Sequence, residues 1–289
     1  MNKTSHRKLL IVNGDDFGLS PGVNAGIVRA HRDGILTSAT LMANTPHSRH
    51  AIELASDCPN LGLGLHANLT DGQPISPARD VERLVNPDGA LPGLARLMIR
   101  AWRAEKAIRR EIAAQLEMAL GAGAKIDHLD SHKHVHVHPK VLTAIISVAK
   151  QYGIAAVRAP LESPAAWAGT RLDWRFRSLL VSLAAWHARR ALAREGFIAT
   201  DRFIGTARTG SWTAQSMAAA ITSLKPGVTE LMVHPRKGKQ DPFSCAELDA
   251  LVSDEVRSAV KSTGVRLVTY ADLLPTPSNL EPRTPNLED

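Results

Sequence analysis

Residues 9–42 read LLIVNGDDFGLSPGVNAGIVRAHRDGILTSATLM, and their reading decides the fold. LLIV (9–12) is a short apolar run that predicts a strand. Ser20 then stands as an N-cap, Pro21 takes the first helical position and Gly34 stops the helix. ILTSATLM (35–42) predicts a second strand. Strand, helix and strand in succession make a unit whose strands run parallel.

The same alternation continues outward. Helices are expected near 48–57, 94–120, 139–153, 173–195, 213–224 and 245–263. Strands are expected in LGLGLHANL (61–69), KIDHLD (125–130), IAAVRAP (154–160), DRFIGTA (201–207), VTELMVH (228–234) and VRLVTY (265–270). Seven or eight such units predict a single-domain α/β fold over 1–275, a (β/α) barrel-like arrangement with mostly parallel strands. A doubly wound open sheet is the alternative. The proline-rich polar tail, 276–289, predicts disorder.

With 289 residues, 44% hydrophobic and 22% charged, the chain has the composition of a globular protein with a sizeable core. Cys58 and Cys245 lie far apart, which speaks against a disulfide framework and for a cytoplasmic location. The apolar run near the N-terminus is too short for a signal peptide, and no run is long enough to span a bilayer. A net charge of +7 suits phosphate or an anionic membrane. No nucleic-acid motif accompanies it, so nucleic acid is not an expected partner.

Ionisable residues collect at strand ends, where α/β folds build their sites. Asp15 and Asp16 follow LLIV, His66 follows LGLGL, Asp130 and His132 follow KIDHL, Arg158 follows IAAV and His234 follows VTELMV. The stretch HLDSHKHVHVHP (128–139) alone holds five of the twelve histidines, with Asp130. Its even-numbered residues would share one face of an extended strand. A helical reading fails on Val135, Val137 and Pro139, so Asp130 and His132 belong at a strand end and 133–138 in a loop. Not every histidine can then reach one metal. A lone histidine is more often structural, but this cluster predicts a metal site. Asp15 and Asp16 could instead cap the following helix, yet Ser20 already serves that purpose.

NGDDFGLSPGVNAGI, GILTSATLMAN, GLGLHANLTDGQP, HLDSHKHVHVHPKVL and MVHP together resemble the YdjC/ChbG family of carbohydrate deacetylases. VRAPLESP, DRFIGTARTGSW and KPGVTELMVHP further resemble its hopanoid-biosynthesis-associated, HpnK-like branch. The resemblance implies a barrel-like fold, one divalent metal and removal of an N-acetyl group from an amino sugar. It makes Asp16, His66 and His132 the metal ligands, Asp15 the general base and His234 the general acid. Imidazole ligands favour Zn²⁺, with Mg²⁺ as the other candidate. Asp130 and His134 are expected behind the ligands. Arg158 either contacts substrate or forms a structural ion pair.

The segment 167–196, WAGTRLDWRFRSLLVSLAAWHARRALAREG, holds three of five tryptophans and many arginines. One reading is a barrel-covering helix whose apolar face is core. The other is a basic amphipathic helix in peripheral contact with the inner membrane face. The expected partners are an acetylated amino sugar or glycolipid, such as an N-acetylglucosaminyl hopanoid, and a second copy of the chain. A soluble chitooligosaccharide is the nearest alternative substrate, and a metal-dependent phosphoesterase the competing enzyme class.

Overall fold

The computed structural model describes residues 7–167, 169–238 and 242–274. Its first strand, β1 (Lys8–Phe17), continues past LLIV through the two aspartates. Leu10, Ile11 and Val12 have no exposed surface. Such unbroken burial is the mark of a parallel strand covered on both faces. Six more strands join it, all parallel: β2 (Ser38–Leu41), β3 (Gly62–Ala67), β4 (His128–Ser131), β5 (Ala156–Val157), β6 (Arg202–Ile204) and β7 (Gly227–Val233). Their spatial order is β5-β4-β3-β2-β1-β7-β6.

An eighth strand, β8 (Arg266–Leu267), pairs with Leu9 and Leu10. β7 already occupies one edge of β1 along Lys8–Gly14, and β2 joins the other edge only from Asn13. β8 therefore fills the lower half of the edge that β2 leaves open. Parallel bridges Ala156↔Ile198 and Glu162↔Phe203 carry the β5 side towards β6. The sheet thus curls into a half-barrel, the barrel-like fold that the strand–helix alternation predicts.

Helices cover the outside. α1 (Pro21–Asp33), α2 (Ser48–Ser56), α6 (Ala214–Thr222), α7 (Pro242–Leu251) and α8 (Asp254–Thr263) pack one apolar core against the sheet. α3 (Leu94–Gly121) and α4 (Pro139–Gln151) pack a second, which the end of α5 (Leu172–Arg194) joins through Ala188 and Leu192. A small third cluster, with Leu9, Ile11, Ala156, Val268 and Tyr270, lies apart from both. Ser20 caps α1, its side chain accepting from the Val23 amide at 3.3 Å.

Three expectations change. The helix over 245–263 is two helices, because Ser253 accepts from the Val256 amide and starts α8 afresh. Strands β5, β6 and β8 are shorter than their apolar runs, with ladder pairing confined to Ala156–Val157, Arg202–Ile204 and Arg266–Leu267. α5 covers the barrel, but its large apolar side chains are not core: Leu172, Phe176, Leu180 and Leu183 are exposed. The tail 276–289 lies outside the described residues.

Candidate active site

The two aspartates of β1 reach the same site because the strand is irregular there. Successive side chains of a regular strand point to opposite faces. Pairing with β2 shifts register between Gly14 and Phe17, and Asp16 adopts φ 68°. Aspartate is one of the few residues that tolerate this left-handed conformation. Such a bulge re-aims a side chain at a strand end.

The histidine run is divided by a second irregularity. Lys133 and His134 have φ 58° and 57°, so the chain turns sharply after His132. Ser131 holds the turn, accepting from the His136 amide at 2.9 Å and meeting His136 Nδ1 at 2.6 Å. Each histidine then has a different neighbour. His128 meets Asp127 and stacks on Tyr270, with ring centroids 3.9 Å apart. His134 lies 3.4 Å from Thr206 Oγ1 and edge-on to Phe203. His138 caps α4 by accepting from the Lys140 amide and packs on Trp102. Burial pushes His134 well below the usual histidine range, aided by the nearby Arg158 charge, and pushes His136 down to about 4.

Only His132 of that run joins a ligand-like cluster. Its Nδ1 lies 2.9 Å from Asp16 Oδ1, and His66 Nε2 lies 3.3 Å from the same oxygen. The two ring nitrogens are 3.4 Å apart. Asp16 Oδ1 is buried and makes these close contacts without an aligned hydrogen bond. The far nitrogen of each imidazole faces a carboxylate: His66 Nδ1 to Asp130 Oδ1 at 2.7 Å, and His132 Nε2 to Asp71 Oδ2 at 3.3 Å. A neutral imidazole whose far N–H is so held turns its other lone pair inwards, the arrangement found around metal-bound histidines. Burial disfavours charge on His66, but Asp130 and Asp15 outweigh it and push the ring up to about 10. The point between Asp16, His66 and His132 therefore attracts positive charge, and one oxygen with two nitrogens fits a divalent cation. Asp15, His66 and Asp130 also lie close together. Their facing atoms, however, are already bonded to one another and to Arg158.

Arg158 has no exposed surface. Its guanidinium donates to Asp15 Oδ2 and Oδ1 at 2.8 and 2.7 Å and to Glu230 Oε1 at 2.9 Å. It contacts Asp130 Oδ2 at 2.5 Å as an ion pair rather than an aligned hydrogen bond. Tyr270 donates to Glu230 Oε2 at 2.6 Å. Of the two sequence readings of Arg158, the geometry fits the structural ion pair. Burial would raise the Asp15 carboxyl, but Arg158 and His66 hold it well below the usual carboxylate range. Glu230, more affected by its burial than by Arg158, is raised.

Asp15, Asp16 and His234 line one cavity of about 510 Å³, with Leu19, Arg171, Trp174 and Ser211 among its walls. Glu247 holds His234 in place by accepting from its backbone N–H at 2.6 Å. The following segment sits tightly on α1, because Gly22 and Gly26 carry no side chain. A Cβ on Gly26 would lie 2.6 Å from the Pro235 carbonyl oxygen.

Residues 9–262 match the family described as YdjC-like protein. The chain belongs to that family. A carbohydrate deacetylase of Brevibacillus brevis is 35% identical, covering 91% of this chain and 99% of its own. A carbohydrate deacetylase of Vibrio vulnificus CMCP6 is 31% identical, covering 93% and 97%. A solved structure from Enterococcus faecalis V583, provisionally named a cellobiose-phosphate cleavage protein, has TM-score 0.73 at 24% identity. It covers 93% of this chain and 100% of its own, a likeness of fold.

Of the residues singled out in this YdjC-like chain, Asp16, His66 and His132 come together, Asp130 backs His66, and Asp15 and His234 share the cavity. His134 makes no contact with the cluster among the described interactions. Sequence reasoning missed Asp71, Glu230 and Glu247. Asp71 lies inside the quoted stretch GLGLHANLTDGQP, five residues after His66, a usable signal. Glu230 sits within the apolar strand VTELMV, where a carboxylate needs a buried partner. Glu247 carries no local signal.

Proposed function

We propose that this YdjC-like protein is a metal-dependent hydrolase that removes the N-acetyl group of an amino sugar. The convergence of Asp16, His66 and His132 from three strand ends, beside Asp15 and His234, carries this reading. The names of the Brevibacillus and Vibrio relatives support it. The donor set suits Zn²⁺, with Mg²⁺ as the other candidate. When bound, a divalent cation would polarise the acetamide carbonyl and acidify a water.

Asp15 takes the proton of the attacking water. Its Oδ1 already accepts from Arg158, Asn13 and Thr40, whereas Oδ2 accepts from Arg158 alone and keeps a lone pair free. Arg158 keeps Asp15 ionised at neutral pH, at some loss of basicity. His234 delivers a proton to the nitrogen that leaves, since an unprotonated amide nitrogen departs poorly. The C–N bond breaks as the new C–O bond is kept, giving acetate and a free amine. Each proton transfer contributes roughly 10²–10⁴-fold. A phosphoesterase built on several ions would need further ligands beside Asp16, and His134 and His136 lie against Thr206 and Ser131 instead.

The finer reading is an N-acetylglucosaminyl hopanoid as substrate. The HpnK-like stretches VRAPLESP and DRFIGTARTGSW support it. The test is acetate release from that glycolipid and from diacetylchitobiose, with metal-reconstituted protein beside His132→Ala and Asp15→Asn. His132→Ala should lose metal and turnover together, and Asp15→Asn turnover alone. Acetate from the soluble sugar alone would remove the lipid assignment. Acetate from neither would remove the deacetylase reading.

A further inference from the structure

α5 is built inside out. Its buried positions are Ser178, Ser182, Ala185, Ala188 and Leu192. The serines face inward to hold Glu162. Ser178 donates to Glu162 Oε2, while Ser182 Oγ donates to the Glu162 carbonyl and accepts from its amide, both at 3.1 Å. The same carboxylate accepts from the amides of Gly205 at 2.7 Å and Ala207 at 3.1 Å. Hydrogen bonds to a buried glutamate thus decide which face of α5 is covered.

The large apolar side chains are left outside. Leu172 is 80% exposed, Phe176 62%, Leu183 59%, and Leu179, Leu180 and Trp186 are 40% or more. Steps of three, four and seven residues place them in a single stripe along the helix. Towards the C-terminal end the stripe passes into exposed Arg190 and Arg194, and the Arg190 guanidinium lies 4.8 Å from the Trp186 ring centroid. From Leu172 to Arg194 the helix has five arginines and one carboxylate, Asp173, which is paired with Arg171. The N-terminal end adjoins the catalytic cavity, whose wall includes Arg171 and Trp174.

We infer that α5 docks the protein on an anionic lipid bilayer, with the apolar stripe in the headgroup–acyl boundary and the cavity mouth beside it. A stripe of leucine, phenylalanine and tryptophan flanked by arginine matches the chemistry of that boundary. Charge complementarity favours a bilayer over a second copy, which would bring a further Arg190 and Arg194 to the same contact. Docking would give the site access to a sugar whose lipid anchor stays in the membrane. The inference deepens the glycolipid reading but is measured without turnover, so either can fail alone.

The experiment is cosedimentation of the full chain with vesicles of phosphatidylcholine, alone or mixed with phosphatidylglycerol. Wild-type protein should bind the mixed vesicles, less so at high salt. The double substitution Phe176→Asp/Leu183→Asp should weaken binding at least about tenfold. Arg190→Gln/Arg194→Gln should weaken it about fivefold per arginine on anionic vesicles only. Circular dichroism and acetate release from a soluble sugar should stay at wild-type levels in both. The inference is overturned by wild type that binds no vesicle, or by a Phe176→Asp/Leu183→Asp protein that binds as well. It is also overturned by a wild-type dimer that binds no vesicle and that this substitution dissociates, which would assign the stripe to a second copy.

Discussion

Replacing Arg158 with methionine would remove the guanidinium that pairs with Asp15, Asp130 and Glu230, none of them more than 2% exposed. Breaking a buried ion pair by deleting one partner costs about 3–5 kcal/mol, because the other charge stays buried. Three carboxylates depend on this guanidinium, so the upper end applies. For a domain of this size, 1 kcal/mol corresponds to roughly 2–4 °C in Tm, giving a fall of about 10–20 °C at neutral pH. The pH dependence should also reverse. In the wild type Asp15 lies below its usual range, so its contribution is complete above the unfolded value and is lost as pH falls through the folded one. Without Arg158, burial and mutual repulsion raise the carboxyls above their unfolded values. Their penalty is then full at neutral pH and is relieved as pH falls through the raised folded values. Thermal unfolding followed by circular dichroism at pH 7 and pH 5 checks both signs. A variant within 3 °C of wild type at pH 7, or one that loses stability in parallel with it on acidification, would refute the reasoning.

Asp130→Asn, which weakens the hold on His66 Nδ1, should lower metal affinity about 10–100-fold, measured by competition with a chromophoric chelator. Gly26→Ala should force the segment after His234 away from α1, because backbone atoms lie within 2.8 Å of the new Cβ. Acetate release should fall by up to about 10²-fold with metal affinity unchanged. Gly64→Ala would set a Cβ 2.4 Å from His128 Cε1. It should cost about 1–3 kcal/mol of stability, read from urea denaturation.

Much of the candidate site was legible because its members end strands. A carboxylate or imidazole directly after a buried apolar run is placed by local pattern, as Asp16, His66 and His132 show. Asp71 was less visible, since a loop rather than a strand brings it to His132. Glu247 lies thirteen residues after His234, on the next helix, and nothing near it announces the contact. The histidine run was legible only as a group. Which member turns towards Asp16 depends on two left-handed residues, Lys133 and His134, that no glycine marks.

By itself the sequence determined the order of strands and helices, the helix starts at Ser20-Pro21 and Pro139, and the rim where ionisable groups gather. Those features follow from short-range forces: steric preference, capping and the period of apolar residues. Tertiary structure decided what Arg158 does, because its three carboxylate partners arrive from three other strands. It also decided which face of α5 is buried. Hydropathy alone would turn the leucines and tryptophan inward, but the hydrogen bonds of Ser178 and Ser182 to Glu162 set the opposite face, and such pairing exists only once the chain has folded back upon itself.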